Sequence, residues 1–172
     1  MMMKLKIFSM ILVCLVMLVM IAPIVALAAT TATVTITATP TYIAIDNTPS
    51  SYGFGAIAVS ATPSTTAGYF TIGNSSTTST NVSIWGTDFT GGSTWTLNTL
   101  GSPGSFIVGM YAGVISGSFN IVVTTSPGNV LKSSLAASTT QTWHLKLMCP
   151  TNFGTTDNAA HSSTITISAA AA

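Results

Sequence analysis

From residue 30 onward the chain is cut into short runs in which apolar and polar side chains alternate, each run closed by Gly, Pro, Asn or Ser. A period of two puts successive side chains on opposite faces of a pleated strand. Short runs of this kind, separated by turn residues, belong to two packed antiparallel sheets. The pattern predicts ten strands, over 33–39, 42–45, 54–60, 69–73, 81–86, 94–99, 106–111, 118–124, 142–148 and 163–169. Pro40, Pro49, Pro63, Pro103, Pro127 and Pro150 fall between these runs or at their ends, where no ladder donor is required. The best helical candidate is 130–137, one or two turns lying between strands.

Parity then separates an inside from an outside. Val34, Ile36 and Ala38 share a face, as do Phe70 with Ile72, Val82 with Ile84, and Trp95 with Leu97. So do Phe119, Ile121 and Val123; Trp143, Leu145 and Leu147; and Ile165 with Ile167. These residues are the expected core, and the opposite faces carry mainly Thr, Ser and Asn. Trp85 shares parity with Asn81 and Ser83, so it points outward, and Tyr69, opposite Phe70 and Ile72, does the same.

The first residues read differently. Lys4 and Lys6 precede 7–21, an uncharged run in which only Ser9 and Cys14 are not large and apolar. A positive start, a long apolar stretch, Pro23 and then Ala26-Leu27-Ala28 make a secretory leader with cleavage after Ala28. The expected organisation is a signal peptide over 1–28 and one domain over 29–172 beginning at Ala29, secreted or held at the outer surface. The alternative is an uncleaved anchor, because 7–29 is long enough for the roughly 20 residues a bilayer requires. A lipoprotein reading fails at Cys14, which follows Val13 where a small residue is needed. No second apolar span is expected before the closing Ala169 to Ala172.

Beyond the leader, about a third of the residues are Ser or Thr, and the charges are Lys132, Lys146, Asp46, Asp88 and Asp157, with no Arg or Glu. Hydroxyls and amides must therefore solvate the surface. Such a surface lacks the field that attracts nucleic acid or steers a charged substrate. It also lacks the repulsion that keeps strand edges apart. Cys149 stands alone once the leader is gone, so it is either buried or bonded to another chain.

Little here points to chemistry. General acid and base work needs a titrating group and a second group to position it. His144 lies between Trp143 and Leu145 and is expected on the outer face beside Lys146; His161 is expected in a polar connection. His144 and Cys149 lie five positions apart near one strand end, on opposite faces, and do not make a pair. Gly-x-Ser-x-Gly, phosphate-binding glycine loops, CxxC and HExxH are all missing. Asp88, in a glycine-rich turn, is a lone carboxylate where a calcium loop gathers several. The expectation is therefore no enzyme, no cofactor and no metal, unless folding brings a histidine within reach of an aspartate in a pocket. Asn74 and Asn81 each begin an Asn-x-Ser glycosylation pattern.

The stretch from Phe70 to Ser76, with Val82-Ser83-Ile84 and Trp95-Thr96-Leu97, is similar to immunoglobulin-like modules of prokaryotic surface proteins. Trp95-Thr96-Leu97 and Trp143-His144-Leu145, with Tyr52-Gly53-Phe54-Gly55, also resemble the WxL domains that associate with bacterial cell walls. The second such tripeptide does not end the chain as it would in that family. A leader followed by a polar all-β domain looks like the biofilm-matrix fibre proteins related to TasA and camelysin. The resemblance implies an antiparallel β-sandwich, immunoglobulin-like or jelly-roll-like, at a cell surface and without catalysis.

Two functional expectations follow. One is a structural subunit of a surface layer, fibre, matrix or virion. It would associate with itself or with other surface proteins through strand edges, with the alternating segment around Val34 and Ile36 as a strand that could be donated. The other is a binding module in which exposed Trp85 and Tyr69 stack on a glycan. Neither involves nucleic acid, and a membrane enters only through an uncleaved leader.

Overall fold

The computed structural model describes residues 34–154 and 157–172. The leader expected over 1–28, with Ala26, Ala28 and Ala29 at its cleavage site, lies outside these residues. The chain divides into two units, Met1–Ala38 and Thr39–Ala172. In the first, residues 34–38 are described; they form no strand, and Val34 and Ile36 are 83% and 88% exposed. The expected placing of Val34, Ile36 and Ala38 in the core is thus corrected. A strand buries its apolar face only when a sheet receives it, and no ladder among the described residues includes this segment.

The second unit is all-β, with nine strands among the described residues. They are β1 (Ile45–Thr48), β2 (Phe70–Asn74), β3 (Thr80–Gly86), β4 (Thr96–Leu97), β5 (Ile107–Gly113), β6 (Ile121–Val122), β7 (Asn129–Leu135), β8 (Thr139–Met148) and β9 (Ile165–Ala171). One sheet runs β1-β2-β8-β5-β4, with β6 also on β5; the other runs β7-β3-β9. All pairings are antiparallel except the two-residue contact of β4 with β5. One cluster holds Phe70 and Ile72 of β2, Val82 and Ile84 of β3, Val108 and Met110 of β5, Leu131 of β7, and Trp143 and Leu147 of β8. The two sheets therefore share a single core. Strict alternation builds it: β3 reads buried at every second residue from Thr80 to Gly86.

Three expectations fail for identifiable reasons. Residues 54–60 form no strand, because Gly55 (φ 70°) and Ser60 (φ 57°) adopt left-handed conformations that a pleat does not accommodate. The helical candidate 130–137 is instead mostly β7. Leu131 and Leu135, both buried, are four apart, a spacing that fits one helical turn and a period of two equally well; pairing with β3 decides between them.

His144 is the third. It is 1% exposed rather than on an outer face, because the loop after β5 folds back over β8. His144 Nε2 lies 3.1 Å from the Ser118 carbonyl, and Phe119 stands edge-on to the imidazole at 4.7 Å. Phe119 is thus only half-buried and covers the outer face of β8, beneath Lys146 Nζ at 5.8 Å, instead of entering the core. Ile121, Ile165 and Ile167 are also half-buried, at the margin of the core.

Candidate functional site

The three-stranded sheet ends on β9, and its register shows how that edge is arranged. Ile84 pairs with Ile167 and Gly86 with Ile165, and beyond the strand the Thr87 N–H donates to the Thr164 carbonyl at 3.0 Å. At the other end the Ala172 N–H donates to the Ser79 carbonyl. In an antiparallel ladder, directly opposed residues alternately exchange hydrogen bonds and face away. Thr166, Ser168 and Ala170 therefore bond β3, whereas Ile165, Ile167 and Ala169 direct N–H and C=O to the outer edge. Among the described residues no strand pairs with that edge.

Beside β9 the space between the sheets opens into a cleft of about 910 Å³. Phe70, Met110, Trp143 and Leu147 form its floor, Ile165 and Ile167 one wall, and the Ser50–Ile57 loop its rim. Ile165 and Ile167 are half-buried, while Val82 and Ile84 on the next strand are fully covered. At the rim, Tyr52 packs edge-on against Tyr69 (4.8 Å) and Phe54 (4.9 Å), and Tyr69 against Phe70 (5.0 Å). Tyr52 and Tyr69 remain 38% and 37% exposed.

The far end of the cleft holds the arrangement that the sequence left to folding, a histidine within hydrogen-bond reach of an aspartate in a pocket, and the partner is Asp157. His161 Nε2 lies 3.0 Å from Asp157 Oδ1, and the Trp95 indole N–H donates to Asp157 Oδ2 at 3.2 Å. His161 stacks on one side of the pair with Trp95, and Trp95 stacks with Phe153 at 4.8 Å. Burial pushes the Asp157 carboxyl upward. Hydrogen bonds from His161 and Trp95, the charge of His161 and a backbone bond from Ser93 outweigh it and hold the carboxyl below its ordinary value. Gly91 and Gly92 make the seating possible: a Cβ there would run into the Ala160 carbonyl and the Asp157 carboxylate, respectively. The only available signal was the i, i+4 spacing of Asp157 and His161, which carries weight only once the segment turns back on itself. His161 Nδ1, the nitrogen a nucleophile would need, is buried and has no hydrogen-bond partner among the described residues.

The remaining residues singled out from the sequence are dispersed. Trp85 and Tyr69 do not form one platform: Trp85 is half-buried on β3, opposite Thr166 of β9, and Tyr69 precedes β2 in the other sheet. Asn74 is 2% exposed, and its amide NH₂ faces the carbonyls of Leu135 (2.8 Å), Ala136 (3.0 Å) and Thr78 (3.2 Å). A glycan on that nitrogen would displace these bonds in the folded domain. Asn81 is half-buried, and its Oδ1 accepts the Ser134 N–H at 3.0 Å. Asp88 Oδ1 accepts the Leu97 N–H at 2.8 Å. Of the two readings of Cys149, burial is the one found: the residue is fully covered, and burial raises its thiol pKa. Among the described residues no three of His, Cys, Asp or Glu converge as metal ligands would. No protein-family model, curated protein or solved structure matches this chain.

Proposed function

We propose that the protein is an exported, non-enzymatic structural subunit, a β-sandwich that joins copies of itself or other surface proteins through strand edges. The observation that carries this reading is the exposure of Val34 and Ile36, an alternating apolar segment with no ladder partner among the described residues. Two large aliphatic side chains in water forgo about 1.5–3 kcal/mol each relative to burial, which association would recover. With five charged side chains beyond the leader, little repulsion opposes that association. The test removes residues 29–40 and compares exported wild-type and truncated protein by electron microscopy and sizing chromatography. Ordered polymers from the wild type and monomers from the truncation are expected; a wild type that stays monomeric at high concentration refutes assembly, and normal polymers from the truncation refute donation by this segment.

A second reading, a binding module for glycans, is favoured by the exposed Tyr52 ring at the rim of the cleft and the exposed Tyr69 ring packed against it. Flat sugar faces stack on such rings. A glycan array comparing wild type with Tyr52→Ala and Trp85→Ala decides it: loss of a signal with Tyr52→Ala alone places the platform at the rim. We read His161 and Asp157 as a clamp on Trp95 rather than as a general base.

A further inference from the structure

We infer that the outer edge of β9, together with the cleft beside it, is the acceptor for residues 34–38 of a second copy of this chain, laid down as a strand with Val34 and Ile36 turned into the cleft. The inference rests on the assembly reading and adds to it which edge receives the strand.

The domain's edges are not equivalent. β1 has four residues, carries Asp46 and runs into Pro49. β4 and β6 have two residues each. β7 carries Lys132, is interrupted by register shifts opposite Thr80–Ser83, and holds Ser134 in a left-handed conformation at φ 48°. Short length, charge, proline and bulges are the devices that keep an edge from pairing with another chain. β9 has none of them: Ile165 to Ala171 is seven residues without charge, proline, bulge or positive φ.

That same edge has a donor's requirements met on both counts. Ile165, Ile167 and Ala169 direct backbone N–H and C=O outward, so a strand laid there finds a ladder ready. Its inward side chains would meet Phe70, Met110, Trp143 and Leu147 on the cleft floor. Residues 34–38 read Val-Thr-Ile-Thr-Ala, which puts Val34, Ile36 and Ala38 on one face and two threonines on the other. The chain as described leaves its own segment exposed and its own acceptor edge unpaired. A donor segment and an acceptor edge carried by the same chain make a head-to-tail contact, and its repetition gives an open filament where the rotation between copies does not close into a ring.

Two experiments test this on the exported protein. In the first, Thr35→Cys is mixed with Thr166→Cys, Ser168→Cys or Ala170→Cys made separately, so that any disulfide joins two chains; buried Cys149 stays silent. A covalent dimer with at least one β9 position is expected, together with none when the partner is Ser133→Cys on β7. In the second, Ala169→Pro removes an N–H that the β3 ladder does not use, leaving the fold intact by circular dichroism while reducing polymer at least tenfold. Should that variant misfold, Ile36→Asp, on a side chain 88% exposed, gives the same loss without touching the core. Polymers that persist in both variants, or Thr35→Cys linking to β7 but to no β9 position, overturn the β9 assignment and leave assembly standing. No polymer from the wild type overturns assembly, and this inference with it.

Discussion

Trp95 and His161 stack with ring centroids 3.8 Å apart and planes 18° from parallel, and both hydrogen-bond the same carboxylate, Asp157. Trp95, immediately before β4, is thereby tied to the segment leading into β9, whose Ile165 and Ile167 line the cleft.

The clamp makes stability depend on pH. The Asp157 carboxyl is held below its ordinary value in the folded chain, so on acidification the unfolded chain takes up its proton first. The stabilisation is complete above the ordinary carboxylate range and decays as pH falls below about 4. Urea melts between pH 7 and pH 3 should show this decay in the wild type. Asp157→Asn should be less stable at pH 7 and show a shallower decline, and an equal decline in both proteins would refute the clamp.

Asn74 joins the end of β2 to the β7–β8 turn through one buried amide. Asn74→Ala leaves the Leu135 and Ala136 carbonyls and the Ser76 N–H without this partner. The expected loss is at least about 3 kcal/mol, at roughly 1–3 kcal/mol for each group left unsatisfied. Asn74→Asp, which turns a donor into an acceptor facing carbonyls, should lose at least as much. Denaturant melts that match wild type would show that the amide is dispensable.

Gly113 is required by close approach. A Cβ there would meet the Ser118 carbonyl and the His144 ring, so Gly113→Ala must push the folded-back loop off β8. Overpacking of this kind costs about 1–3 kcal/mol, or roughly 3–10 °C in Tm for a domain of this size. His144 should then become accessible to diethyl pyrocarbonate, which the wild-type residue resists. An unchanged Tm with a protected His144 would overturn this account of the loop.

The sequence by itself determined the all-β class and most of the core. Where a strand lies between two others, as β3 does, the period of two becomes burial directly, and Val82, Ile84, Phe70, Ile72, Trp95, Leu97, Trp143, Leu145 and Leu147 are all covered as alternation predicts. What only the tertiary structure decided depends on a second element arriving. His144 is buried because a loop folds over a face that parity leaves open, and Val34 and Ile36 are exposed because no strand receives them. His161 meets Asp157 because two glycines let a connection sit close to Trp95. Alternation reports which side of a strand is apolar. Whether that side is covered, and which edge stays open, is a property of neighbours that lie far away along the chain.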